Sequence, residues 1–133
     1  MPNLKINLFI YKLFSSECCF CTAKDNPLIK KENLTANDIA GEEIVMLDSS
    51  FFIHKLINDF YKANKITPKV IYYSPHLHTI KNLVKNRVAS TFLLRQAIFT
   101  EDNMATISMS VPIYIDSGIV TKKAKNYMLT SFY

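Results

Sequence analysis

Short apolar runs followed by amphipathic segments occur at two places in the chain. The first reads IVMLDSSFFIHKL over residues 44–56, and the second reads VIYYSPHLHTIKNLV over residues 70–84. In each, a run typical of a buried strand leads to serine, and the following apolar residues have helical spacing. A helix start presents unpaired N–H groups and partial positive charge. The pattern therefore predicts two strand–serine–helix junctions that form a small-molecule pocket, preferably for an anion, beside neighbouring parallel strands.

The two predicted helices have clear apolar faces. In the first, Ile53, Leu56, Ile57 and Phe60 recur at helical spacing, and the helix is expected to end near Asn64. In the second, a serine cap and a proline at the first helical position are expected, because proline lacks the N–H that is unpaired there anyway. The residues concerned are Ser74 as the cap, Pro75 at the first position, and Ile80, Leu83 and Val84 on the inner face.

Strands and short turns are predicted for the rest of the chain. Thr35 is expected to cap a single helical turn over residues 35–40, with Asp38 as a partial capping box and Gly41 just after its end. Residues 104–110 alternate apolar and polar, as an exposed or edge strand does. The alternation of strands and helices indicates an α/β domain with a largely parallel sheet. Further strands are expected at residues 4–14, 17–23, 43–47, 69–73, 89–93 and 114–121, a helical turn at 94–99, and a terminal helix at 127–133.

Composition indicates one ordinary globular domain. The chain has 133 residues, of which 49% are hydrophobic and 20% charged. Its two glycines leave no glycine-rich phosphate loop. The net charge is +5, but the lysines are scattered apart from the group 122–125 and the pair 30–31. A solvated basic surface is therefore favoured over a nucleic-acid-binding stripe.

The cysteines indicate a reducing compartment. Cys18, Cys19 and Cys21 form an odd, tightly spaced set, which fits buried strand residues better than disulfides or a metal site. The N-terminal segment superficially resembles a signal peptide, but Lys12 interrupts its apolar run. No apolar run approaches the ~18 residues that a membrane span needs. We therefore expect a cytoplasmic protein that does not interact with membranes.

Catalytic groups are weakly indicated. Asp48, Ser49, Ser50 and His54 include the residue types of a hydrolytic triad, but serine and histidine four or five positions apart on one helix lack the required nucleophile–base geometry. Ser49 and Ser50 are better interpreted as helix caps. One of the two phenylalanines that follow could wall a ligand cavity, since such cavities are mainly apolar.

The order of motifs across nearly the whole chain carries a family resemblance. CTAKDNPLIKKENLTANDIAGEEIVML resembles a strand, then "hPLa", then "L.dL", then a strand. SSFFIHKLINDFYKANKITPKVIYYSPHLHTIKNLV resembles a helix, a "G-x-x-P" stretch, a strand and a helix. ASTFLL resembles a "GiallP" strand, and VPIYIDSGIVTKK resembles a returning strand that ends in a charged turn. From about Leu8 to Phe132 the chain is therefore similar to the effector-binding (substrate-binding) domain of LysR-type transcriptional regulators.

The resemblance implies an α/β fold of the type-2 periplasmic-binding-protein-like kind. It suggests that residues 24–113 form the second subdomain and that residues 1–23 and 114–133 are remnants of the first. It also implies a small-molecule effector, homo-oligomers, and DNA binding through an N-terminal helix-turn-helix domain, which this sequence does not contain. The chain is thus expected to be the C-terminal portion of such a domain, with no cofactor, metal or catalytic activity.

Site residues follow from the same resemblance. By position, Ser49, Ser50 and Phe51 match the effector-contacting helix start of the family, and Thr91 and Phe92 match its cleft-lining strand. The chain departs from the family pattern just before that strand and at its end. Where the family has glycines this chain has Arg87 and Ala89, and where it has proline this chain has Leu94.

Three functional hypotheses result. The first is a ligand-sensing module that binds a small, anionic effector at the first junction, while the second junction is structural. The second is an interaction or oligomerisation module that binds no effector and pairs through an exposed sheet edge. The third is a small hydrolase that uses Ser50 and His54.

Overall fold

The computed structural model describes residues 16–115. These residues form strands and helices in alternation, with short 3₁₀ turns between them. The strands are β1 Ser16–Thr22, β2 Asn33–Leu34, β3 Glu43–Leu47, β4 Lys69–Ser74, β5 Thr91–Leu94, β6 Ala105–Met109 and β7 Ile113–Ile115. The helices are α1 Ala36–Ile39, α2 Phe52–Ala63 and α3 Leu77–Lys85, and the 3₁₀ turns are Pro27–Lys30, Arg95–Ala97 and Thr100–Asp102.

Strand β1 organises the larger sheet. It pairs antiparallel with β5, β6 and β7, and β2 pairs parallel with β6. Strands β3 and β4 form a parallel pair, which a parallel bridge between Ile44 and Ser90 joins to the start of β5. The prediction of a largely parallel sheet is therefore wrong. The strand–helix–strand unit from β3 to β4 does form a parallel pair, whereas β1 runs opposite to β5, β6 and β7. Alternation of strands and helices therefore predicts the direction of pairing within that unit only.

Strand β6 was expected to be exposed or at an edge, and this prediction is wrong. It lies between β2 and β1, with Ile107 and Met109 buried. Its alternating pattern reflects one apolar face on the core and a half-exposed face, which an interior antiparallel strand also shows.

The apolar faces of the two longer helices are confirmed. Ile53 and Ile57 of α2 and Ile80 and Val84 of α3 are buried in a core that also contains β3 and β5. Helix α2 ends at the predicted place, because its C-cap residue is Asn64. The 3.6-residue period thus identifies both helices and the face of each that packs against the sheet.

The short helix α1 is also confirmed. The Asp38 N–H donates to the Thr35 hydroxyl at 3.3 Å, and the Asp38 carboxylate accepts from the Thr35 N–H at 2.8 Å. Gly41 follows the C-cap Ala40, as predicted, although its φ is not positive. A reciprocal cap of this kind gives a four-residue helix much of its local stability.

The three cysteines are buried strand residues, as predicted. Cys18, Cys19 and Cys21 are all free and fully buried in β1. Within residues 16–115, no helix has the length and apolar character to cross a bilayer. The strand predicted at residues 4–14, most of the one at 114–121 and the helix at 127–133 lie outside the described residues. The division into two subdomains stays a prediction.

Candidate functional site

The turn between β3 and α2 exposes two serines beside a carboxylate. Ser50 donates both its N–H and its hydroxyl to Asp48 Oδ1, at 3.0 and 2.5 Å. The N-cap of α2 is Phe51, and no side chain caps the helix. The prediction that Ser49 or Ser50 caps this helix is therefore wrong, because the Ser50 hydroxyl is engaged by Asp48 in a tight turn. Both serines are exposed.

Asp48 is the local centre of negative charge. The hydrogen bonds from the Ser50 hydroxyl and N–H lower the pKa of the Asp48 carboxyl, and the nearby His54 and His76 lower it further. The carboxylate therefore stays ionised at neutral pH. It can accept hydrogen bonds from hydroxyl or ammonium groups of a bound molecule.

The second junction lies directly beside the first, as the sequence predicted. The Asp48 N–H donates to the Ser74 carbonyl at 3.0 Å, which extends the pairing of β3 with β4 into the turn. Ser74 is the last residue of β4, is 1% exposed, and accepts the His76 N–H at 3.0 Å. The prediction that Ser74 caps the helix with Pro75 at its first position is wrong, since α3 begins only at Leu77. The serine instead closes a turn between strand and helix.

His54 forms one side of the site. Its Nδ1 donates to the Leu47 carbonyl at 2.9 Å, since a carbonyl oxygen can only accept. The imidazole also contacts Tyr73, with ring centroids 5.2 Å apart. Because Ser50 donates to Asp48 and His54 donates to a backbone carbonyl, the three side chains are not paired as nucleophile, base and orienting acid.

The other residues that the resemblance singled out lie deeper. Phe51 is buried directly after the two serines. The Thr91 hydroxyl is fully buried and donates to the Val45 carbonyl at 2.6 Å. Phe92 is buried edge-to-face against Phe20. The structure thus brings Ser49 and Ser50 together at the surface, and places the side chains of Thr91 and Phe92 in the core, on a strand that lies beside β3.

Two residues of the site were missed from the sequence. Tyr73 and His76 come from the second junction, which was interpreted as structural only. The parallel pairing of Leu47 with Ser74 brings the end of β4 against the turn after β3. Both residues could have been found with the rule that the carboxyl ends of neighbouring parallel strands lie at the same edge of a sheet. Among the described residues, no cluster of histidine, cysteine, aspartate and glutamate could hold a metal ion.

Arg87, which stands where the family has a glycine, has an unusual backbone conformation. Arg87 has φ of 64°, the left-handed conformation that glycine adopts without cost. Its Nε lies 2.6 Å from Asp25 Oδ2. The loop therefore keeps a backbone conformation suited to glycine, although an arginine occupies the position.

Comparison with known proteins supports the architecture. The family model described as LysR substrate binding domain matches residues 5–126. The QuiR effector-binding domain in complex with shikimate superposes with a TM-score of 0.68 at 14% identity, over 89% of this chain and 60% of that one. The Synechocystis CcmR regulatory domain in complex with 2-PG gives 0.67 at 9% identity, over 89% and 62%. The regulatory domain of MetR from N. meningitidis gives 0.63 at 19%, over 88% and 59%.

A curated relative gives the same result from sequence. It is YybE, an uncharacterized HTH-type transcriptional regulator of Bacillus subtilis (strain 168), 26% identical over 73 residues. The match spans 55% of this chain and a quarter of that regulator. The fold is the α/β, type-2 periplasmic-binding-protein-like fold of these domains. The chain belongs to the LysR substrate-binding domain family.

Proposed function

We propose that the chain is the ligand-sensing part of a LysR-type transcriptional regulator and that its effector binds at the turn of residues 48–51. The observation that carries this proposal is the meeting of two strand ends. The turn after β3 and the end of β4 are joined by the hydrogen bond from Asp48 to Ser74. Two exposed serines and the imidazoles of His54 and His76 lie around this joint. Convergent polar groups of this kind fix the orientation of ligands in small-molecule sites.

The effector that suits this site carries hydroxyl groups together with a carboxylate. The Asp48 carboxylate accepts hydrogen bonds from ligand hydroxyls and repels a bare anion. An effector carboxylate therefore faces away from Asp48, towards the Ser49 hydroxyl and the imidazoles. Structural neighbours of the chain are in complex with shikimate and with 2-PG. Shikimate is accordingly the first compound to test.

Three buried residues, Phe51, Thr91 and Phe92, stabilise the backbone on which the site is built. Phe51 is 7% exposed and fixes the end of the turn against the core. Thr91 and Phe92 act through the backbone they position, since the Thr91 hydroxyl ties β5 to Val45 two residues before the end of β3. Their substitution is expected to change effector affinity only together with stability.

Regulation requires that the effector distinguish two states of the protein. We propose that the regulator is a cytoplasmic homo-oligomer that contacts DNA through a helix-turn-helix domain rather than through the described residues. Effector binding shifts the equilibrium between two arrangements of the oligomer. The shift cannot exceed the difference in affinity of the effector for the two arrangements.

Thermal unfolding with shikimate and other small hydroxylated carboxylic acids tests the site. A ligand at 100 times its Kd stabilises the folded state by about 2.7 kcal/mol. The double variant Ser49→Ala with Ser50→Ala should lose this stabilisation. Ser110→Ala, at an exposed serine directly after β6, serves as the matched control and should keep it. Equal stabilisation of both variants would show that the serines are not at the effector site.

A second candidate function rests on the outer edge of β4. Among the described strands, β4 pairs only with β3, and its Ile71 and Tyr72 are 47% and 51% exposed. An apolar unpaired edge favours pairing with another chain, as in an interaction module that binds no effector. Sedimentation at increasing concentration tests this second function: self-association that Tyr72→Lys abolishes supports it, and a monomer throughout excludes it.

A further inference from the structure

A cavity of about 420 Å³ lies at the end of β3 opposite to the proposed effector site. Residues 22, 23, 25–27, 41–43 and 87–90 form its walls. Glu43, the first residue of β3, lines it, whereas the proposed effector site follows Leu47, the last residue of that strand. Its volume falls within the range of about 300–1,000 Å³ that is typical of small-molecule sites.

The floor of the cavity is a fixed network of polar side chains. The hydroxyls of Thr22 and Ser90 are 2.7 Å apart, and the two residues are 2% and 4% exposed. Asn26 donates to the Thr22 hydroxyl and to Glu42 Oε1, each at 2.8 Å. The carboxylate of Glu42 is therefore held in one position before any molecule enters.

The walls are acidic in a basic protein. The chain has 16 lysines and arginines against 11 acidic residues. Three of those acidic residues, Asp25, Glu42 and Glu43, line this cavity together with one base, Arg87. Arg87 pairs with Asp25 at 2.6 Å, whereas neither glutamate has a salt bridge to any described residue. Two uncompensated carboxylates thus face the cavity.

The core contains a buried hydroxyl that is influenced by the charge of Glu42. Tyr61 is 1% exposed, and its hydroxyl has no hydrogen-bond partner in the described part of the chain. Burial raises the pKa of this hydroxyl, and the charge of Glu42 raises it further, so the two groups are electrostatically close. Tyr61 is not among the residues that line the cavity, so its hydroxyl reports the negative charge of Glu42 and not a ligand contact.

We propose that this cavity is a second small-molecule site, separate from the proposed effector site, and that it takes an organic cation with a primary ammonium group. The ammonium lies between Glu42 and Glu43, and the hydroxyls of Thr22 and Ser90 contact the polar remainder of the ligand. The negative charge of the two glutamates selects a cation. The hydrogen bond from Asn26 holds the Glu42 carboxylate in place, so this group need not be ordered when the ligand binds.

Four-carbon probes of matched length test the proposal on the 133-residue chain. Putrescine carries two ammonium groups, butane-1,4-diol is neutral, and succinate carries two carboxylates. Each is titrated into ¹⁵N-labelled protein. Saturable shifts of the Gly41 and Ser90 amides are expected with putrescine alone. The double variant Glu42→Gln with Glu43→Gln should weaken putrescine binding at least tenfold, while Glu32→Gln, an exposed glutamate outside the cavity, should leave it unchanged.

The opposite results overturn the proposal. Shifts by putrescine that do not saturate, or that also appear with butane-1,4-diol, show that the cavity does not select a cation. If Glu32→Gln weakens putrescine binding as much as the double variant does, putrescine is attracted by the overall surface charge and not by the cavity. If the double variant fails to fold, Glu43→Gln alone is used, because Glu43 makes no side-chain hydrogen bond to a described residue, and unchanged affinity in that variant refutes the site.

Discussion

Replacing Tyr61 with phenylalanine should stabilise the protein. The Tyr61 ring is buried between Phe60 and Phe92, with centroids 6.0 and 6.1 Å away and both contacts edge-to-face. Its hydroxyl has no partner among the described residues. A buried unsatisfied polar group costs about 1–3 kcal/mol. Phenylalanine keeps the ring contacts and removes this cost, so the free energy of unfolding should rise by about 1 kcal/mol or more.

The effect has a pH dependence of known sign. Burial raises the pKa of Tyr61 in the folded state, and Glu42 adds to the rise. In the unfolded chain tyrosine ionises near pH 10. Above that pH the unfolded state loses a proton that the folded state retains, so the native protein loses stability as pH rises. Tyr61→Phe lacks this loss, and its advantage over the native protein should therefore grow above about pH 10.

Thermal and urea unfolding at pH 7 and pH 10.5 measure both effects. For a chain of this length, 1 kcal/mol corresponds to a rise in Tm of roughly 3–5 °C. Tyr72→Phe, at a half-exposed position, is the control and should shift Tm by less than about 2.5 °C, because surface changes usually stay below about 0.5 kcal/mol. If the Tyr61→Phe protein is less stable than the native one, the Tyr61 hydroxyl makes a stabilising hydrogen bond, and the prediction is refuted.

Three further substitutions test local features. Asp102→Asn should cost about 1.5–3 kcal/mol, because it breaks a partly buried ion pair with Lys81 at 2.7 Å. Burial raises the pKa of Asp102, but the hydrogen bonds from Lys81 and the Phe99 N–H outweigh this effect, so the pKa is lowered. The stabilisation is therefore present above about pH 4 and lost below it. Urea unfolding at a series of pH values measures this loss. Arg87→Gly should change stability by less than about 0.5 kcal/mol, since relief of the left-handed strain offsets the greater freedom of glycine when unfolded, whereas a loss above 1 kcal/mol would contradict this reading. Thr35→Ala should cost about 1 kcal/mol by removing the cap of α1, and an unchanged Tm would show that this helix does not need its cap.

Much of the fold could be predicted from local patterns. The apolar spacing in α2 and α3 and the reciprocal cap at Thr35 are set by residues within a few positions of each other, and the structure confirms them. The direction of strand pairing is not local. It depends on which strands meet β1, and the register of Cys18 with Leu94 and with Ile113 involves residues far apart in sequence.

The adjacency of the two junctions could be predicted from the sequence, but the roles of their serines could not. The adjacency of the two junctions follows from the rule for parallel strands, and the pairing of β3 with β4 confirms it. The roles of the serines could not be predicted, since a serine before a helix can cap it or bond to a preceding aspartate. Here the Ser50 hydroxyl bonds to Asp48 at 2.5 Å, and the helix begins without a side-chain cap.

The central claim is that a small polar effector binds at the turn of residues 48–51. The most direct test is a titration of the ¹⁵N-labelled chain with shikimate and the hydroxylated carboxylic acids that raise its Tm. The account predicts that at least one compound produces saturable shifts, with the largest at the amides of Ser49, Ser50 and His76. Stabilising compounds whose shifts all lie elsewhere, or a panel in which no compound moves these amides, would contradict it.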